Sequence, residues 1–324
     1  MNLDVPRFTI FAQIHYPDIW DEMIHQLDEK VDVPFALVMS CPDEKMALAL
    51  PKSSHLRFVK RISTENRGRD ILPFLTCLHR LKDQPLPDIC LKLHTKKSPH
   101  REDGLDWRNT IVLSLLEANS PGLPGLAALD LMEADSRIGL IAPRHHLMPI
   151  KGRIWGNRMG MRHMADQIGI DLDPALTDEA RFPAGSMFWF RRAALSAFAQ
   201  ERLDDLFEPE AGKLDATMAH ATERLFAVAS ERRGFLALPM ESVRPIGERI
   251  EQDGSVPLNE LAELVRESEM FHANSFISPL PQLIQRHERV MIVAHFLYRR
   301  LPKPLWRAGR TLVKCILRPL EKAH

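Results

Sequence analysis

Short apolar runs alternate with helix-length segments along the first 145 residues, and this alternation limits the fold more than any other feature of the chain. The runs predict strands at residues 8–14, 35–40, 56–62, 89–94 and 138–142. Strands separated by helices are typical of βαβ units, in which the strands lie mostly parallel and the helices cover the sheet. We therefore predict an α/β fold with a Rossmann-type, mostly parallel sheet flanked by helices.

The segments between these strands have helical periodicity. They predict helices at residues 19–27, 43–49, 71–81, 105–118 and 123–133. Further along, the apolar sequence FPAGSMFWFRRAAL predicts a strand that runs into a helix. A long helix is predicted at residues 214–232, with Asp215 as its N-cap or in its first turn, and a last strand at 235–240.

The chain divides into three parts at the sequence level. Residues 1–145 hold the βαβ pattern, residues 146–250 form a second half of the same domain, and residues 251–324 form a helical C-terminal region. Between residues 286 and 322 there are ten Lys and Arg residues against two acidic ones, interleaved with apolar residues that include a Trp. This basic amphipathic tail is typical of a helix at a membrane surface, although a helix packed on the core with a solvated basic face has the same pattern.

Composition excludes several classes of protein. Lys and Arg number 43, as do Asp and Glu, so no net charge favours a nucleic-acid partner. The chain has neither G-x-G-x-x-G nor G-x-x-x-x-G-K-[ST], which weakens ordinary dinucleotide and P-loop interpretations. No apolar stretch approaches the ~20 residues of a transmembrane helix. The N-terminus is unlike a signal peptide and the four cysteines are not paired at C-x-x-C spacing, so we expect a cytoplasmic protein with reduced thiols.

Polar residues follow several of the predicted strands. Ligands of parallel sheets bind at the carboxyl ends of the strands. At these ends the chain has His15, Tyr16, Ser40, residues 66–70 and residues 94–98. We therefore expect the binding site at this edge of the sheet.

The turn ENRGRD at residues 65–70 follows one strand and opens a helix. Gly68 permits a backbone turn that other residues resist, and Asp70 is placed to cap the helix. Arg69 is then a cation beside a helix N-terminus, which favours a phosphate group or a ribose hydroxyl. The alternative is an ordinary capped turn with solvated arginines.

The sequence KLHTKKS at residues 92–98 forms the second cluster. Lys96 and Lys97 supply charge, and His94 with its neighbours supplies hydrogen-bond donors, a combination that suits a diphosphate. The alternative is a solvated loop. Trp107 and Arg108 follow on the next helix, where they either hold a ligand or anchor that helix.

Two more clusters lie in the second half. Gly185 and Ser186 begin an apolar strand and allow a sugar to approach the backbone closely. On the predicted helix 214–232, Thr217, His220 and Glu223 or Arg224 fall on one face. They form either a general base with its orienting partners or a buried polar network.

Together, these pieces resemble the rhamnan synthesis protein F family of bacterial polysaccharide assembly. The resemblance rests on HYPDIWDEM, ENRGRDILPFL, KLHTKKS, GLIAP, FPAGSMFWFRRAAL and LDATMAHATERLF, which occur in order between residues 15 and 226. It implies a GT-A-like glycosyltransferase with a nucleotide-sugar half at 1–145 and an acceptor half at 146–250. It also implies a deoxyhexose donor such as dTDP-rhamnose, no separate cofactor, and a role in O-antigen, capsule or rhamnan synthesis.

The resemblance also suggests roles for individual residues. Nucleotide-sugar binding is assigned to eight residues: His15, Tyr16, Asn66, Arg69, Asp70, His94, Lys96 and Lys97. Acceptor binding is assigned to Gly185, Ser186 and Trp189. Asp215 occupies the place of the catalytic base of inverting enzymes, with His220 as a positioning group and Glu223 as the second choice for the base.

One departure from the GT-A pattern concerns the metal. Such enzymes usually carry an Asp-x-Asp at the end of the fourth strand, but here His94-Thr95-Lys96 stands in its place and offers no carboxylate for a hard cation. We therefore expect a metal-independent enzyme in which lysines neutralise the leaving diphosphate. The acceptor would be a lipid-linked glycan at the inner membrane. The alternative is a glycan-binding or scaffold protein of the same pathway without catalytic activity.

Overall fold

The computed structural model describes residues 5–43, 45–95, 104–119, 124–143, 145–151, 153–172, 180–209 and 215–270. For residues 104–106, 155, 269 and 270 it describes the backbone alone. Lys96, Lys97 and the basic tail at 286–322 lie outside the described residues.

A seven-stranded sheet forms the centre of the protein, in the order β3-β2-β1-β4-β8-β5-β9. β8 pairs antiparallel with both of its neighbours, and the other pairings are parallel. The predicted α/β fold with a mostly parallel sheet is therefore confirmed. The strands are β1 (Phe8–Gln13), β2 (Phe35–Cys41), β3 (Leu56–Ser63), β4 (Ile89–His94), β5 (Ile138–Ala142), β8 (Phe188–Arg191) and β9 (Leu236–Pro239). Two further strands, β6 (Leu147–Pro149) and β7 (Arg181–Pro183), form a separate antiparallel pair.

Helices lie on both faces of this sheet. They are α1 (Pro17–Lys30), α2 (Ile71–Arg80), α3 (Gly104–Leu115), α4 (Ala127–Ala134), α5 (Arg158–Gln167), α6 (Met218–Glu223), α7 (Phe226–Arg232), α8 (Val243–Asp253) and α9 (Leu258–Met270). Short 3₁₀ helices occur at Trp155–Asn157, Ser196–Phe198, Glu201–Leu206 and Met240–Ser242.

The central strands are buried on both faces because helices cover both sides. Every residue of β1, β2, β4 and β5 is buried, which explains why these strands read as nearly continuous apolar runs. Successive side chains alternate between two cores. Ile10 and Leu91 belong to one core, whereas Phe11 and Cys90 belong to the other.

Strand register brings distant parts of the chain to one edge of the sheet. Gln13 of β1 lies opposite His94 of β4, and Ala142 of β5 lies opposite Pro239 of β9. Because β8 runs antiparallel, the residues just before it meet the carboxyl ends of its neighbours. We call this side of the sheet the carboxyl edge. Segments that follow β1, β4, β5 and β9 and the segment that precedes β8 meet there.

Two predicted helices are wrong. Residues 43–49 contain no helix where they are described. The Asp43 carbonyl accepts the Met46 N–H in a single turn, and the carbonyls that follow bond to side chains from other segments. The Arg61 guanidinium donates to the carbonyls of Met46 and Leu48, and the Trp20 indole donates to that of Ala49. The segment after β8 likewise forms turns and a 3₁₀ helix in place of the predicted α-helix.

The long helix predicted at 214–232 is also wrong, since the structure has two shorter helices, α6 and α7, with a turn at Arg224 and Leu225. α6 begins only after Ala216, whose φ of 62° interrupts a helix. The N-cap is Thr217, whose hydroxyl accepts a hydrogen bond from the His220 backbone N–H, and not Asp215.

The three described cysteines, Cys41, Cys77 and Cys90, are buried and form no disulfide. Burial raises the pKa of the Cys77 thiol to about 12 and also raises the pKa of Cys90. Both thiols are therefore protonated and inert at neutral pH. None of the described helices is long and apolar enough to cross a membrane.

Candidate active site

A buried lysine organises the carboxyl edge. Lys92 of β4 is 1% exposed, and its ammonium group donates to Asp70 Oδ2 at 2.9 Å, to the Ser186 carbonyl at 2.6 Å and to Ser186 Oγ at 2.8 Å. An ammonium group has three N–H donors, so these contacts use all of them. Burial of the pair requires such contacts, because an unsatisfied buried charge is costly. Lys92 therefore joins the turn before α2 to the turn before β8.

Both joined turns have left-handed backbone conformations. Gly68 and Arg69 have φ of 64° and 60°, and Gly185 and Ser186 have φ of 89° and 57°. A Cβ on Gly68 would lie 2.5 Å from the Phe207 ring, so that position also lacks space for a side chain. Non-glycine residues with such φ cost about 1–3 kcal/mol each and persist where the surrounding structure holds them. The Lys92 contacts supply that restraint.

Two of the predicted site residues bind the backbone of Gly185. The Glu223 carboxylate accepts its N–H at 2.9 Å, and the His94 Nε2–H donates to its carbonyl at 2.7 Å. The Trp107 ring packs where a Gly185 Cβ would be, 2.9 Å away. These three side chains fix the turn before β8 from different elements. His94 is buried, so we assign it to this turn and not to contact with a nucleotide.

Asp70 also differs from its prediction. It occupies the N-cap position of α2, but its side chain accepts no capping hydrogen bond. Its carboxylate faces Lys92 and is buried, which leaves it no exposed surface for a nucleotide. Asp70 therefore positions the turn that carries Arg69.

Arg69 contacts the histidine of α6. Its guanidinium approaches His220 Nε2, and His220 Nδ1 lies 2.7 Å from Thr217 Oγ1. Arginine can only donate, so the network assigns the lone pair of a neutral imidazole to Nε2 and the proton to Nδ1, which donates to Thr217. Both ring nitrogens of His220 are thus bound within the protein.

Asp215 lies next to this network. Its Oδ1 accepts from Asn157 Nδ2 at 3.0 Å and lies 3.5 Å from the Arg224 guanidinium. Burial alone would raise the pKa of Asp215, but the positive charge of Arg224, the neighbouring His220 and the Asn157 hydrogen bond outweigh it, so the pKa lies below the ordinary 3.8. A general base works best with a pKa near the working pH, and this shift moves Asp215 away from it.

The lowered pKa predicts a pH-dependent stability. A carboxylate with a depressed native pKa stabilises the protein above its unfolded pKa, and this contribution is lost as the pH falls through the native pKa. We expect Asp215→Asn to lower the free energy of unfolding by up to about 1 kcal/mol above pH ~5, since the carboxylate is 37% exposed. The difference from the unsubstituted protein should shrink below pH ~4. Urea unfolding across a pH series measures it, and a difference that does not change with pH would contradict the ion pair.

His15 and Tyr16 lie at the end of β1 and are less deeply buried. Their backbone N–H groups donate to Thr95 Oγ1 at 2.9 and 3.0 Å, and their rings meet edge to face with centroids 4.6 Å apart. Asn66 is exposed on the turn before α2. These three residues and Arg69 are the described members of the predicted nucleotide-binding set that keep accessible surface.

Trp189 and Arg108 have structural positions. The Trp189 ring is fully buried against Phe8, and its indole N–H donates to the Leu115 carbonyl at 2.8 Å. Burial assigns Trp189 to the core and not to an acceptor site. Arg108 is buried in an ion pair with Glu22 of α1, so it anchors α3.

Several residues that build the site were not among the predicted site residues. Lys92, Thr95, Asn157 and Arg224 each bind a residue of the predicted set. The signal for Lys92 was a charged residue inside an apolar strand, since lysine is almost never fully buried without a partner. Thr95 was a hydrogen-bond donor of the cluster at 92–98 and Arg224 shared the polar face of the predicted helix, but neither received a role, and Asn157 carried no comparable signal.

Arginine side chains lie around His220. Arg224 donates to the carbonyls of His220 and Arg153, and the Arg69 guanidinium approaches His220 Nε2. The pKa of Arg153 is lowered by burial and by the charge of Arg224. Carboxylates are present too, since Asp215 lies 3.5 Å from Arg224 and Glu208 accepts the Met218 N–H. The cluster of guanidinium groups suits an anion. Within the described part of the chain, no group of three or more His, Cys, Asp or Glu side chains is arranged to hold a metal ion.

Comparison with known proteins identifies the family of this chain. The model of the family described as rhamnan synthesis protein F matches residues 2–234. The chain is also 34% identical over 239 residues to the uncharacterized protein WxcX from two strains of Xanthomonas campestris pv. campestris. These matches cover 73% of the chain but 33% of each relative, so the chain spans about a third of their length. The chain therefore belongs to the rhamnan synthesis protein F family, a family of polysaccharide synthesis.

Proposed function

We propose that this protein is a glycosyltransferase that moves a deoxyhexose, such as rhamnose, from a nucleoside-diphosphate sugar to a lipid-linked glycan. Family membership supports a role in polysaccharide synthesis. The observation that carries the proposal is the fixed arginine at the carboxyl edge. Arg69 lies between a buried ion pair and His220, directly before the first turn of α2.

Sugar transfer requires an anion to be stabilised as it leaves. When the bond between the anomeric carbon and the phosphate oxygen breaks, negative charge grows on the diphosphate, and preorganised cations lower the barrier. Arg69 is held by its neighbours before any ligand binds, so little reorganisation is needed. Lys96 and Lys97 follow Thr95 directly in the sequence and would add further charge. The proposal therefore needs no metal ion and no separate cofactor.

The proposal predicts weaker donor binding when Arg69 is removed. A hydrogen bond to a charged group contributes about 1.5–3 kcal/mol, so we expect Arg69→Ala to weaken binding of dTDP-rhamnose about 10- to 100-fold. Isothermal titration calorimetry with EDTA present measures the affinity. Arg162→Ala, at an exposed arginine on α5, is the matched control and should bind like the unsubstituted protein. No binding of dTDP-rhamnose or of any other nucleotide sugar by the unsubstituted protein would reject the proposal.

The basic segment at 286–322 completes this proposal. Its ten Lys and Arg residues would attract the anionic surface of the inner membrane at about 1 kcal/mol each. Such a contact would hold a cytoplasmic enzyme near a lipid-linked acceptor. Flotation of the full chain with vesicles that contain anionic lipid tests it, and equal recovery with neutral vesicles would reject it.

A second candidate function is glycan binding without catalysis. It is favoured by one observation: Asp215, His220 and Glu223, the three side chains predicted to be catalytic, are each bound within the protein. Turnover of dTDP-rhamnose with a lipid-linked glycan separates the two candidates. Donor turnover by the purified full chain supports the transferase, whereas glycan binding with no turnover of any donor supports the binding protein.

A further inference from the structure

A histidine and a glutamate form a dyad at the carboxyl edge, outside the residues assigned above. β5 and β9 end together, with Ala142 opposite Pro239, so the residues that follow them emerge side by side. Glu241 Oε1 accepts a hydrogen bond from the His145 backbone N–H at 2.5 Å, and ring Nδ1 of His145 lies 2.9 Å from the same oxygen. Strand register thus brings the two residues together across 96 positions of sequence.

The backbone of His145 is shaped for this contact. Its φ of 60° is unusual for a residue other than glycine and turns both donors toward one carboxylate oxygen. The Glu241 side chain is 2% exposed, and the His145 side chain is 18% exposed. Glu241 Oε2 is buried and accepts no hydrogen bond from the described residues. The strained backbone of His145 and the burial of the Glu241 carboxylate both cost stability. Such costs are typical of a functional site.

The dyad is connected to the turn before β8. The carbonyl of His146 accepts the Ala184 N–H at 2.8 Å. The His146 ring packs against Trp107, with centroids 5.5 Å apart, and Trp107 in turn covers Gly185. His145 therefore adjoins the turn that Lys92, His94 and Glu223 hold in place.

We propose that His145 is the general base of the sugar transfer and that Glu241 is its positioning residue. This inference rests on the proposed glycosyltransferase function. Because Nδ1 donates to Glu241, the neutral ring carries its lone pair on Nε2. The carboxylate fixes this tautomer and stabilises the imidazolium that forms when Nε2 takes a proton, as in other His–carboxylate pairs.

The step balances with the proposed substrates alone. His145 Nε2 takes the proton of an acceptor hydroxyl while the oxygen of that hydroxyl bonds to the anomeric carbon of the donor. The bond from that carbon to the phosphate oxygen breaks, and its electron pair leaves with the nucleoside diphosphate. The imidazolium then releases the proton to solvent, which restores the base.

The test uses the full chain with His145 replaced by glycine. Glycine accepts a φ of 60° without strain, which offsets part of the loss of the ring contact with Glu241, and it leaves room for an added imidazole. General-base catalysis contributes about 10²–10⁴-fold, so we expect kcat to fall by that factor while KM and affinity for dTDP-rhamnose stay within about twofold. Added imidazole should restore part of kcat in this variant alone. Glu241→Gln should lower kcat less and gain nothing from imidazole.

His163→Ala, at an exposed histidine of α5, is the control and should keep full activity. A His145→Gly variant with unchanged kcat would overturn the assignment of the base and leave the glycosyltransferase proposal standing. A loss of kcat that accompanies a loss of folding or of donor affinity, with no response to imidazole, would also overturn the assignment of the base. Absence of donor binding and turnover in the unsubstituted protein would overturn both proposals.

Discussion

Replacing Lys92 with methionine is expected to lower the free energy of unfolding by about 3–5 kcal/mol, since breaking a buried ion pair leaves an uncompensated charge. Methionine fills a similar volume, so the loss would come from Asp70 and from the Ser186 carbonyl, both of which lose a donor. Urea unfolding followed by tryptophan fluorescence measures this difference. Lys60→Met, at an exposed position of β3, is the matched control and should change stability by less than about 0.5 kcal/mol.

The pair Asp70→Asn and Lys92→Met completes a double-mutant cycle. We expect the double variant to be more stable than the sum of the two single losses indicates, because neither charge then remains buried alone. Additive losses would mean that Lys92 and Asp70 act independently, which would contradict the 2.9 Å contact between them.

Replacing Trp189 with alanine is expected to cost about 3–5 kcal/mol of stability, the range for a large aromatic residue removed from a core. The ring is fully buried between the sheet and α3, and its loss would leave a cavity beside Phe8. Thermal and urea unfolding both measure the effect.

Trp189→Phe separates this structural role from the acceptor-binding role that the sequence predicted. Phenylalanine keeps most of the packing and loses the hydrogen bond to the Leu115 carbonyl, which contributes about 0.5–1.5 kcal/mol. Acceptor KM should stay unchanged in this variant. A raised KM in a protein of nearly normal stability would restore Trp189 to the acceptor site.

The sequence predicted the strands well because buried parallel strands have a simple pattern. β4 and β5 begin and end at the predicted residues, 89–94 and 138–142. The direction of β8 could not be predicted, because an apolar strand reads the same whether its neighbours run parallel or antiparallel. The helix predicted at 43–49 failed since carbonyl contacts with Arg61 and Trp20, distant in sequence, decide that segment.

Candidate site residues were harder to predict than strands. Sequence reasoning correctly expected polar groups at the strand ends, but it could not decide which of them face a ligand and which bind within the protein. Whether Asp70 or His94 points outward depends on Lys92 and Gly185, which are neighbours only in the folded chain. The His145–Glu241 dyad left no local pattern either, since its two residues follow different strands of the sheet and are 96 positions apart in sequence.

The positions of the left-handed residues have a consequence for how this protein can change. Arg69, His145, Ser186 and Ala216 are the non-glycine residues with positive φ in the described part of the chain, and each belongs to the carboxyl edge or to the network beside it. Glycine would adopt the positive φ with less strain at all four positions, but it would remove the guanidinium of Arg69, the imidazole of His145 and the hydroxyl of Ser186. Under the proposed function, selection for heat resistance and selection for sugar transfer would act in opposite directions at Arg69 and His145.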